Sequence, residues 1–183
     1  GRGTGVGPSA PGGWGRVVGG WAAVRTGATA LGRGEGGGRG ADPADIVGSP
    51  DPAAHPRAAS LVAVDLPALS RRFDGVLPPG AIDAATSVMT YPDQLGWVPA
   101  ADGALPALVS PGLSITHVAL LPLALERARN WADRPRLLIE LGRSGRSGAD
   151  TLLDVLASLG QEGPAVLVSS PADVHRIVRL AKG

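Results

Sequence analysis

A chain of 183 residues with a net charge of +1 has no global field that would draw it to nucleic acid or to an anionic membrane surface. It contains no cysteine, which excludes disulfides, thiol nucleophiles and cysteine metal sites. Aromatic residues make up 3% of the chain against 44% hydrophobic residues in all, so a core must be built from Ala, Val and Leu, as in close helix-on-sheet packing.

The histidines, His55, His117 and His175, are far apart and form no H-E-x-x-H pair. They read as surface residues. No apolar run reaches the roughly 20 residues of a membrane helix, and no charged start leads into a secretory-type apolar stretch. The expectation is a soluble, cytoplasmic protein of one domain.

Residues 1–13 are glycine-rich and are expected to be a flexible segment. A single α/β domain is expected over 14–183. Val17, Val18, Trp21 and Val24 fall at helical spacing, interrupted by Gly19 and Gly20, and predict a helix that ends near Gly27. Ala28 to Leu31 reads as extended. Residues 32–43 form a loop; their Arg-Gly content without an aromatic stacking residue reads as a solvated connection rather than an RNA-binding tract. Asp45 to Gly48 is a short strand, 49–59 a proline-rich loop, and Ser60 to Asp65 a further strand. A short helical turn is expected over 66–75. Residues 76–104 read as a segment crossing the surface, with one helix from Ala81 to Val88, pinned by Met89, Tyr91, Leu95 and Trp97.

Leu105 to Ser110 is a strand ended by Pro111-Gly112. A helix follows between Ser114 and Trp131, with Val118, Leu121, Leu125, Ala128 and Ala132 as its inward stripe and Glu126, Arg127 and Arg129 opposite. Pro122 inside it requires a kink or a start later than Thr116. Residues 136–141 and 164–169 are apolar runs typical of buried parallel strands. Between them lies a helix over 149–159 with Leu152, Leu153, Leu156 and Leu159 as its core face. Ser147 and Asp150 have the spacing of a capping box at its start, and Gly160 and Gly163 end it. Ser170 and Asp173 repeat that spacing before a last helix, with Ile177 inward and His175, Arg176 and Arg179 outward. The four tryptophans, Trp14, Trp21, Trp97 and Trp131, are too scattered for a stacking platform and are expected in core or seam packing.

The loop Gly142-Arg143-Ser144-Gly145-Arg146-Ser147-Gly148 joins a strand to a helix amino terminus, where backbone amides and the helix dipole favour an anion. Gly142, Arg143, Gly145, Arg146, Ser147 and Gly148 are therefore the candidate ligand-binding residues. The loop lacks the Lys-Ser/Thr ending of a P-loop, and its glycines are not spaced as in a dinucleotide fingerprint. A plain turn with Ser147 as cap accounts for the same residues. Gly145-Arg146-Ser147-Gly148-Ala149 also resembles a hydrolase nucleophile elbow. His175 would then be the base and Asp154 or Asp173 the acid, but Asp173 and His175 diverge on one helix.

WGRVVGGWAAVRTGATAL (14–31) resembles the segment of acyl-adenylate-forming (AMP-binding) enzymes in which a helix ends in a small-residue turn and enters a strand. LSRRFDGVLPPGAIDAATSVMTYPDQ, LVSPGLSITHVALL and DTLLDVLASLGQEGPAVLVSSPADVHRIVRLAK are similar to a short, uncharacterised actinobacterial family distantly related to those enzymes. The resemblance implies a three-layer α/β fold with a mostly parallel sheet, like the amino-terminal subdomain of that architecture. It does not carry over a site. The phosphate loop ending in Pro-Lys-Gly, the aromatic-Thr-Glu motif and the C-terminal-domain lysine have no counterpart, and Lys182, the only lysine, matches none of them.

The expected function is that of a catalytically silent AMP-binding-like domain, acting as a ligand-binding or protein-interaction module. The alternative is a small-molecule enzyme holding a phosphorylated or nucleotide ligand at Gly142–Gly148. No cofactor or metal is expected; ATP, AMP or acyl-CoA enter only through the resemblance. A protein partner or a second copy is the expected kind of partner, with neither nucleic acid nor membrane.

Overall fold

In the computed structural model, which describes residues 5–8, 13–31, 46–65, 70–92, 94, 96–98, 100–131, 137–140, 147–168, 175–177 and 179, strand β1 (Gly5–Pro8) is the middle of a seven-stranded sheet. Composition predicts flexibility over 1–13, but Gly5–Pro8 is paired on both sides. Val6 lies opposite Ala30 of β2 (Thr29–Leu31) and Ile46 of β3 (Ile46–Ser49). Two neighbouring backbones give this glycine-rich stretch the hydrogen bonds that its side chains cannot replace with packing.

The sheet continues outward on one side through β4 (Ser60–Ala63) to β5 (Ile82–Asp83). On the other side it continues through β6 (Pro106–Ser110) to β7 (Leu113–Thr116), giving the order β5-β4-β3-β1-β2-β6-β7. A second sheet pairs β8 (Leu137–Glu140) in parallel with β9 (Ala165–Val168). Every pairing described is parallel except β6–β7, so the chain is an α/β protein in which most strand pairs are parallel. Strand β7 lies where sequence reading begins a helix. Pro111 and Gly112 (φ 74°) turn the chain back, and Ser110 faces Leu113 across the hairpin.

Helix α1 (Gly13–Arg25) is continuous through Gly19 and Gly20. Gly20 is buried against Leu152, where an added Cβ would stand 3.1 Å from the leucine Cδ2, so the glycine brings two helices close together. Helix α2 is shorter than expected (Ala84–Val88), because Asp83 caps it and its predecessor pairs as β5. Over 70–75 the chain bends without a helical turn, and 66–69 lie outside the described residues, as does the 32–43 loop.

Helix α3 (His117–Arg129) starts after Thr116 and keeps Pro122 inside it, and its inward face differs from the expected stripe. Leu120, Ala124 and Ala128 are buried, whereas Val118 and Leu121 are exposed. Pro122 stands on the exposed side of the helix, and it leaves the Val118 carbonyl without its i+4 donor.

Helix α4 (Gly148–Gly160) is buried on every side from Thr151 to Ser158, more than two turns without a solvent face. It packs on α3 and α1, on β6 of the large sheet, and on β8 and β9. Leu152, Leu153, Val155 and Leu156 fill these contacts, each contributing about 1.5–3 kcal/mol by burial. Leu159, expected in the same face, is exposed because it lies beyond the end of the packed turns. No helix among the described residues is long and apolar enough to cross a membrane.

Helices α1 and α4 end in the same hydrogen-bond pattern. In α1, Ala28 N donates to Ala23 O and Gly27 N to Val24 O; in α4, Gly163 N donates to Ser158 O and Glu162 N to Leu159 O. The motif needs a left-handed residue at its penultimate position. Gly27 (φ 77°) supplies it without strain, but α4 uses Glu162 at φ 57°. A side chain in that conformation costs about 1 kcal/mol or more. Glu162 is exposed and makes no other use of the position. Glu162→Gly is therefore expected to raise unfolding stability by about 1 kcal/mol, and Gly27→Ala to lower it by at least as much, measured by urea denaturation.

Candidate functional site at the amino end of helix α4

Of the six candidate residues, Ser147 and Gly148 are described; Gly142, Arg143, Gly145 and Arg146 lie outside the described residues. Ser147 is the amino cap of α4 and closes a reciprocal capping box with Asp150. Its Oγ accepts from Asp150 N (3.1 Å) and donates to Asp150 Oδ2 (2.7 Å), while its own N–H donates to the same oxygen (3.1 Å). The Ser147 carbonyl accepts from Thr151 N and Thr151 Oγ1. The hydrogen-bonding groups of Ser147 are thus spent on starting the helix.

The helix dipole at this end is met from inside the protein. Asp150 places its carboxylate where an external anion would otherwise be favoured. Arg127 of α3 balances it, with both terminal nitrogens 3.3 Å from Asp150 Oδ1. The same guanidinium reaches one turn further along α4, its Nε lying 2.5 Å from Asp154 Oδ1. Asp150 and Asp154 stand four residues apart on one face, and a single arginine from the neighbouring helix spans them. Asp154 lies deep in the packed interior, its side chain 2% exposed, and Arg127 is its charge partner across the interface.

Sequence reading sets Arg127 on the outer face of α3 with Glu126 and Arg129. Glu126 and Arg129 are exposed, but Arg127 turns inward. The signal that finds it is Asp154: an aspartate in the middle of LLDVLASL requires a cation, and apolar periodicity does not register that demand.

Asp150 is held below the ordinary aspartate value. Burial pushes its pKa up, but the Ser147 hydroxyl and N–H and the Arg127 guanidinium together outweigh it. A carboxylate lowered in this way is a weak base, so the short Ser147–Asp150 contact does not activate the hydroxyl. Nor is a triad assembled. The Ser147 proton goes to Asp150, Asp154 pairs with Arg127, and His175 is exposed on the last described helical turn.

His117, expected at the surface, heads α3 with its Nε2 closed off from solvent and without a hydrogen bond. Trp131 packs against the core as expected, whereas Trp21 and Trp97 are exposed. Among the described residues no three His, Asp or Glu side chains come together as a metal-binding set.

No family model matches the chain, and a search of curated proteins finds no similar one.

Two outcomes follow from the arginine and its carboxylates. Arg127→Met leaves Asp154 buried beside an apolar side chain and is expected to lower stability by about 3 kcal/mol; adding Asp154→Leu is expected to restore most of it. Both are read from urea unfolding curves. Asp150 contributes stability that is complete above its unfolded pKa of about 3.9 and is lost as pH falls through its lower folded value. Wild type is thus expected to lose more stability than Asp150→Asn when pH drops from about 5 to about 2.5. At neutral pH the asparagine variant is expected to be the less stable protein.

Proposed function

We propose that the chain is a catalytically silent relative of AMP-binding enzymes, working in the cytoplasm as a ligand-binding or protein-interaction module. It would retain the three-layer amino-terminal architecture of those enzymes without their chemistry. The observation that carries this reading is the commitment of Ser147 and the α4 amino terminus to an internal capping box, with Asp150 at the position an incoming phosphate would favour. The α/β character and the parallel pairings are compatible with such a relative. The absence from the sequence of a Pro-Lys-Gly loop and of any lysine before Lys182 leaves nothing of the phosphate-stabilising set that adenylation needs.

The same considerations weigh against a phosphorylated ligand at Gly142–Gly148. Such a ligand would bring a second negative charge to Asp150, leaving Arg143 and Arg146 to compensate for it.

Thermal unfolding with ATP, AMP and acyl-CoA separates the readings. No change with any of them is expected; binding at a hundredfold excess over Kd would add about 2.7 kcal/mol of stability. Pyrophosphate exchange into ATP is expected to stay at background across a panel of carboxylic acids. A nucleotide-induced shift that disappears in Arg143→Ala/Arg146→Ala would replace this function with ligand binding at the loop.

A further inference from the structure

We draw no further inference here: the strongest candidate, the apolar side chains of Ile82, Val88, Met89 and Tyr91 left exposed on β5, α2 and the turn after it, carries nothing because nothing in the structure shows what covers them.

Discussion

A carboxylate inside a helix that is buried on every side must be compensated, and Asp154 of α4 imposes that condition on its surroundings. Isolated, the charge would be destabilising by several kcal/mol. Arg127 supplies the compensation from α3, and this determines which way α3 is turned. Leu120, Ala124 and Ala128 lie on the same side of the helix as Arg127 and share its interface with α4. Val118 and Leu121 are rotated outward in consequence, although by hydrophobicity alone they are as suited to the core. One guanidinium thus links the orientation of α3, the interior of α4 and, through Asp150, the capping box that starts α4.

The core around this interface depends on small side chains. Gly20 of α1 stands against Leu152, Gly160 faces Leu125, and Ala107, Ala124, Ala128 and Ala157 are completely buried. With so few aromatics, close approach of backbones replaces bulk as the means of excluding water. At Gly20 and Gly160 the missing Cβ leaves room for the Leu152 and Leu125 side chains, which offsets part of the helix propensity that glycine forfeits. At the α4 terminus Glu162 holds a left-handed conformation that glycine holds at the matching point of α1.

The parts of this structure that are legible in the sequence are those decided by neighbours in the chain. The Ser147–Asp150 box needs only residues three apart, and the end of α1 at Gly27 needs only a glycine in the last turn. The strands β3, β4, β6, β8 and β9 appear as short apolar runs bounded by turns. What pattern reading misses depends on distant partners. Gly5–Pro8 has the composition of a loop and becomes the central strand through two flanking backbones. Arg127 looks solvent-facing until Asp154 is opposite it. Met89, Tyr91 and Trp97 look like anchors that pin a surface segment because hydrophobicity is read as burial, a rule that fails wherever an apolar side chain is left facing water.

The two regions of interest place their polar groups in opposite ways. At the amino end of α4, donors and acceptors are matched to one another: Ser147, Asp150, Thr151 and Arg127 share their hydrogen bonds inside the protein. A phosphate site built on the same geometry would leave the helix amides and a cation turned outward. Around β5 and α2 the hydrogen bonds gather on Asp83, which ties Phe73 to the start of α2, while apolar side chains such as Ile82, Val88 and Met89 remain uncovered.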